Sequence, residues 1–169
     1  MQTNSTYPGK VFTTSREFQF PLSTIFDHFT SEELFASFWG SPGMPLKVAE
    51  GNIIPGGVFH YYSELPDGGK MYGILKYGDI VADESIEIIS GFSDENQAWL
   101  RHPMAATWPL ETQTVISFEE TENGCAVTFA GHPINANAEE IALFESAFDG
   151  LTQGFGGTFN QLQAALEKY

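Results

Sequence analysis

Residues 137–168 read NAEEIALFESAFDGLTQGFGGTFNQLQAALEK, and this stretch decides the fold. From Ile141 the apolar positions fall at Ile141, Phe144, Phe148, Leu151, Phe155, Phe159, Leu162 and Leu166. Spacings of three and four keep them on one helical face. Asn137 is placed to cap the helix, with Glu139 and Glu140 in its first turn. A continuous helix from there to Lys168 would extend about 45 Å at 1.5 Å per residue. Beside the apolar stripe runs a second one of small residues, Ala147, Gly150, Gly154 and Gly157. A glycine inside a helix costs about 1 kcal/mol relative to alanine. Three on one face therefore imply close approach or deliberate empty space. A long helix laid across a sheet, with room left beneath it, makes an internal pocket.

Upstream, the pattern supplies that sheet. Residues 10–20 alternate loosely as a first strand, ended by Pro21. Two short helices follow. The first covers 22–29; the second begins after Ser31, an N-cap followed by Glu32 and Glu33, and ends at Gly40-Ser-Pro-Gly. From Leu46 the period becomes strand-like, with strands near 46–51, 57–64, 70–81, 84–93, 110–119 and 124–132. Pro55-Gly56-Gly57, Pro66-Asp67-Gly68-Gly69, Ala82-Asp83 and Asn123-Gly124 punctuate them as turns. Short turns between successive strands imply an antiparallel meander. The expected fold is α+β: a helix-grip arrangement, in which a bent antiparallel sheet wraps around the long C-terminal helix. One domain over 10–168 is expected, behind a short polar segment, 1–9.

One connection is anomalous. Residues 94–109 join two strands of a meander that otherwise uses tight turns, and Trp99, Leu100, Met104 and Trp108 make them apolar enough to pack. The expectation is a wall or lid of the pocket, stiffened by Pro103 and Pro109, with Trp108 turned inward beside Trp39 and Phe155. The rival is a loop covering a sheet edge or forming a homodimer contact.

Composition narrows the function. The 169 residues carry 22 acidic against 7 basic side chains, a formal net charge of -15. Such a surface repels phosphate backbones and anionic headgroups, so neither nucleic acid nor membrane is an expected partner. No run approaches the roughly 20 apolar residues of a membrane span. No hydrophobic leader is visible, and the cytoplasm is the expected location. The single cysteine, Cys125, lies in a strand-like alternation and reads as a buried small hydrophobe. His28, His60, His102 and His132 match no metal-ligand spacing. No Gly-x-Ser-x-Gly is present, and Gly154-Phe-Gly-Gly157 lies mid-helix without the lysine of a phosphate loop. Neither cofactor, metal nor catalytic residue is expected.

Several segments together resemble a known family. They are Arg16-Glu-Phe, Phe38-Trp39-Gly40, Pro55-Gly56-Gly57, Pro66-Asp67-Gly68, Gly73, and Tyr77-Gly-Asp-Ile80. Arg101-His102-Pro103, Trp108-Pro109-Leu110, Pro133-Ile-Asn135-Ala136 and the tail from Gly154 to Leu162 continue the series. In this order they resemble the SRPBCC (START-like) superfamily, and are similar to the C-terminal domain of the activator of heat-shock-protein-90 ATPase, over about residues 10–166. Many relatives carry a tryptophan before the helix glycine where this chain has Phe155-Gly156. They often carry a charged residue where it has Val58-Phe59. Both departures make the interior more apolar. The resemblance implies the helix-grip fold more directly than an activity.

Strand parity assigns the faces. With Glu64, Lys70 and Lys76 in water, Phe59, Tyr61, Leu75 and Tyr77 face the helix. An outward Glu87 turns Ile86, Ile88 and Phe92 inward; Thr112, Thr114, Ile116 and Phe118 share one face, as do Cys125, Val127 and Phe129. The expected function is binding of a small hydrophobic or aromatic molecule between sheet and helix. Its expected binding set is Trp39, Phe59, Tyr61, Leu75, Tyr77, Ile88, Phe92, His102, Trp108, Thr112, Phe148 and Phe155. The hydroxyls of Tyr61, Tyr77 and Thr112 need partners if buried, from ligand, backbone or water. Two alternatives follow from the resemblance. One is a chaperone-regulating interaction module, which would use an exposed surface. The other is a cyclase- or hydrolase-type enzyme, which would need a polar residue such as His102 or Tyr61 at the cavity wall.

Overall fold

Turn residues set the topology in the computed structural model, which describes residues 6–41 and 43–169. The first five residues of the polar N-terminal segment, and Pro42 in the stop signal after Trp39, lie outside the described residues. The first strand β1 (Phe12–Phe18) leads into α1 (Leu22–Thr30) and α2 (Glu32–Phe38). Six further long strands follow: β2 (Leu46–Gly51), β3 (Val58–Glu64), β4 (Lys70–Val81), β5 (Ser85–Ser93), β7 (Glu111–Thr121) and β8 (Gly124–Ile134). A two-residue strand, β6 (Trp99–Leu100), lies between β5 and β7 in the chain. The helices α3 (Ala138–Ser146) and α4 (Phe148–Lys168) complete the element order.

The sheet runs β1-β8-β7-β5-β4-β3-β2, antiparallel throughout, with β6 paired to β5 off that path. The helix-grip expectation holds: the described residues form eight antiparallel strands and four helices, the longest helix last. Strand β1 returns to pair with β8, Phe12 opposite Gly131 and Phe18 opposite Cys125. Both predicted caps form: Ser31 Oγ accepts from Leu34 N–H at 3.4 Å, and Asn137 Oδ1 from Glu140 N–H at 2.9 Å.

The C-terminal helix differs from the single rod expected. It is interrupted at Ala147, whose φ of -95° and ψ of 3° leave the helical well. Its N–H bonds Phe144 O three residues back, and the regular ladder resumes with Leu151 N–H to Ala147 O at 2.8 Å. The break separates two packing tasks. Phe144 turns toward Trp108, at 5.6 Å between ring centroids, while Phe148 turns toward Phe12 at 5.4 Å. The two rings also meet each other, at 5.6 Å. After the break α4 runs 21 residues, about 31 Å.

The C-terminal half of α4 docks tightly. Phe159, Leu162 and Leu166 are buried against Phe18, Val127 and Phe129, with Phe129 and Phe159 stacked at 5.1 Å. Gln161 Nε2 donates to the carbonyls of Phe38 and Gly40, at 2.9 and 2.8 Å, and so satisfies acceptors left over where α2 stops. Around this joint Phe29, Phe35, Phe38, Phe59 and Phe118 pack edge-on, Phe29 to Phe38 at 5.0 Å and Phe35 to Phe59 at 5.0 Å. Inward parity is as read: Phe59, Leu75, Tyr77, Ile86, Ile88, Ile116, Phe118, Cys125, Val127 and Phe129 are buried, while Glu64, Lys70 and Lys76 are exposed.

The β7–β8 hairpin is fitted to the end of β1 through one glycine. A Cβ at Gly124 would overlap the Phe18 carbonyl oxygen and lie 2.9 Å from Phe20 N. Both neighbours are backbone and cannot step aside. Replacing Gly124 with alanine should therefore destabilise the protein by about 1–3 kcal/mol, the usual range for overpacking. Chemical denaturation reads this as a lowered midpoint; an unchanged midpoint would show that β1 is not held where described.

Candidate ligand cavity

Where the C-terminal half of α4 is docked along its length, the N-terminal half meets the sheet through Phe148 and Phe155 and leaves space between them. Gly150 and Gly154 present no side chain, and a Cβ built at either meets nothing within 4 Å. The sheet floor beneath is correspondingly low. On β4, Gly73 lets the Tyr61 ring lie flat across it; a Cβ there would be 2.5 Å from the phenol oxygen. On β8, Gly131 leaves room for the Thr114 hydroxyl, 2.7 Å from where its Cβ would sit. Between floor and helix lies a cavity of about 480 Å³, within the few hundred Å³ usual for sites that hold a small organic molecule.

Seven of the twelve residues expected at the site line this cavity: Trp39, Tyr61, Leu75, Phe92, Trp108, Thr112 and Phe155. The other five do not, each for a local reason. Phe59 is fully buried one layer deeper, under Phe35, and Ile88 is likewise core. Tyr77 lies beside the β2–β3 connection, its N–H bonded to Gly57 O at 3.0 Å. Phe148 packs between Phe12 and Phe144. His102 stands behind the wall, edge-on to Phe92 at 4.9 Å, and its Nδ1 is taken by the Met104 N–H at 3.0 Å.

The reading missed Ser63, Ser90, Thr114 and Phe12, which also line the cavity. Parity pointed to them: Ser90 alternates with Ile88 and Phe92, and Phe12 with Phe18. Thr114 is on the inward face read with Thr112 but outside the expected binding set.

The loop 94–109 serves both roles that were weighed for it. Its first part turns back at Gln97 and pairs at the sheet, Phe92 opposite Leu100 and Ser93 opposite Trp99. Trp99 covers Gly91 on the convex side, with Lys76 Nζ 5.4 Å from its ring. The second part supplies Trp108 and Pro109 to the cavity wall. Arg101 fastens this part down, donating to Trp108 O at 3.2 Å and to Glu140 Oε2 at 3.1 Å. Trp108 turns inward as expected, but its ring partner is Phe144; Trp39 and Phe155 converge instead on Phe129, at 6.1 and 5.0 Å.

No charged side chain lines the cavity among the described residues. Burial pushes the Tyr61 phenol above its ordinary range, partly offset by the Trp39 indole N–H beside it. Tyr77 is raised too, by burial first and then by the nearby Tyr61 and Glu32, and its hydroxyl has no partner among the described residues. Among the described residues no group of His, Cys, Asp or Glu side chains is arranged to hold a metal ion. No helix among them is long and apolar enough to cross a membrane.

A bent antiparallel sheet closed over a C-terminal helix, with an apolar cavity between them, defines a helix-grip protein. The chain belongs to the family described as Activator of Hsp90 ATPase homolog 1-like protein, which it matches over residues 19–167. Solved structures agree on the fold. A Mycobacterium smegmatis protein shares 25% identity at a TM-score of 0.72, over 91% of this chain and 88% of its own. One from Arthrobacter aurescens shares 23% at 0.77, over 94% and 87%. One from Staphylococcus epidermidis shares 23% at 0.76, over 95% and 91%. No curated protein matches the chain.

Two predictions follow from this geometry. Because a Cβ at Gly150 or Gly154 meets nothing, Gly150→Ala and Gly154→Ala should each stabilise by up to about 1 kcal/mol, the helix propensity difference. Thermal melting checks this, and a lowered Tm in either variant would mean the space beneath α4 is not there. The raised phenols bear on pH. Below pH 10 both folded and unfolded chains keep them protonated; above it the unfolded chain ionises first, so stability falls as pH rises past about 10. Tyr77→Phe should remove part of that alkaline loss. At neutral pH it should be neutral or stabilising, since it deletes an unpartnered buried hydroxyl. Equal alkaline loss in both proteins would contradict the assignment.

Proposed function

We propose that this protein binds a small apolar or aromatic molecule, without catalysis, in the cavity between the sheet and α4. The observation that carries the reading is unfilled helix–sheet space walled by Trp39, Phe92, Trp108 and Phe155. Close packing is the rule in protein interiors, and an apolar void forfeits contacts on every side. A chain that spends two helix glycines on such a void, and pins a tryptophan-bearing loop across it through Arg101, is built to have it occupied. The binding set in this reading is the seven expected residues that line the cavity, extended by Thr114, Ser90 and Phe12.

Chaperone regulation, which the family's description attaches to its namesake, would act through an outer surface. The exposed Leu100 and Met104 on the 94–109 loop are the feature that favours this second reading. Pull-down of the host chaperone by the wild-type protein, lost in a Met104→Glu variant, would support it.

The ligand reading is tested with aminoanthracene, an uncharged dye that brightens in apolar surroundings. The wild-type protein should enhance its fluorescence saturably at one site. Trp108→Ala should weaken binding tenfold or more, equivalent to about 1.4 kcal/mol, with oligomeric state unchanged. No enhancement with the folded wild type, or a shift in oligomer size with binding intact, would refute the reading.

A further inference from the structure

The cavity's walls are aromatic, but part of its floor is not. Ser90 on β5 pairs in register with Thr112 on β7, and Thr114 lies two residues further along the same inward face. All three line the cavity, and Thr114 is more than nine-tenths buried. Neighbouring polar groups are engaged elsewhere: Gln113 with Glu87 at 2.8 Å, and His132 with the Pro133 carbonyl at 2.9 Å. This leaves the three hydroxyls without a side-chain partner among the described residues. Thr114 is buried while Ser90 and Thr112 are half-buried at the cavity face, so a molecule that displaces water from the cavity must hydrogen-bond these hydroxyls or bury them unpaired at a cost. Valine has the same shape as threonine and would fill the same positions without that cost. The patch is therefore best accounted for by the molecule that occupies the cavity.

What that molecule carries is limited by charge. With no lysine, arginine or histidine in the lining, a buried carboxylate or phosphate would have no counter-ion, and the chain's net charge of -15 opposes its entry. With no aspartate or glutamate in the lining, a buried ammonium would rely on aromatic faces alone. Hydroxyls donate and accept, and they suit a neutral oxygen of either kind.

Resting on the ligand-binding reading above, we propose that Ser90, Thr112 and Thr114 form the polar anchor of the cavity. The ligand class they select is an uncharged ring compound bearing a carbonyl or hydroxyl oxygen, seated with that oxygen on the β5–β7 floor and its rings against Trp108 and Phe155. Fatty acids and other ionised amphiphiles are excluded from the same space.

Displacement of aminoanthracene by four naphthalene probes of nearly equal size separates these cases: the parent hydrocarbon, naphthyl methyl ketone, naphthoate and naphthylmethylammonium. The ketone should bind at least tenfold more tightly than either ion at neutral pH. Thr112→Val and Thr114→Val, which keep the side-chain shape, should weaken the ketone about tenfold together and leave the hydrocarbon unchanged. Naphthoate or the ammonium competing as well as the ketone would overturn the assignment while leaving the ligand-binding reading intact. So would valine variants that lower ketone and hydrocarbon affinity equally. Failure of the dye itself to bind would remove both.

Discussion

Everything about the cavity depends on how α4 is held at one end. Phe159, Leu162 and Leu166 are buried against the sheet, and Gln161 ties the helix to the carbonyls at the end of α2 through two hydrogen bonds. Arg16 adds a bond to Asn160 at 2.6 Å and lies over the Phe159 ring at 5.2 Å. A rigid helix fixed along one half cannot settle independently along the other. The glycine-bearing turns are therefore carried above the sheet at a height set by residues a dozen positions away. Phe155 props that height, meeting Phe129 at 5.0 Å and Phe12 at 5.9 Å.

Much of this was legible in the chain. Spacings of three and four from Ile141 to Leu166 identified the helix and its buried face, because a helix on a sheet has to show one apolar stripe. Alternation identified the strands, and turn residues such as Asp67-Gly68 and Asn123-Gly124 fixed their antiparallel order. The small-residue stripe was informative in a different way. Glycines that weaken a helix ask for a compensation, and at Gly150 and Gly154 it is open space. The reading could not say which half of the helix would stand clear. That depends on Gln161 reaching carbonyls more than a hundred residues away.

The differences lie in what spacing and alternation do not encode. The break at Ala147 has no local signal, since alanine is the best helix former. Five expected site residues lie beside the cavity because parity distinguishes inward from outward but not shallow from deep. Phe59 and Ile88 face the correct way and are simply covered. Ser90 and Thr114 lie on faces that parity turns inward, and parity alone does not separate them from core. In a cavity they join Thr112, Ser63 and Tyr61 as polar features, and they bear directly on what it accepts. The 94–109 loop is edge cover and wall in turn, with Trp99 paired beside β5 and Trp108 at the cavity.

A crystal structure of the protein equilibrated with aminoanthracene tests the central claim most directly. The account predicts ring density between the Gly150–Gly154 turns and the β5–β7 floor, flanked by Trp108 and Phe155, with α4 unmoved. Dye bound only on the exterior, or α4 collapsed onto Thr112 and Thr114 with the space closed, would contradict it.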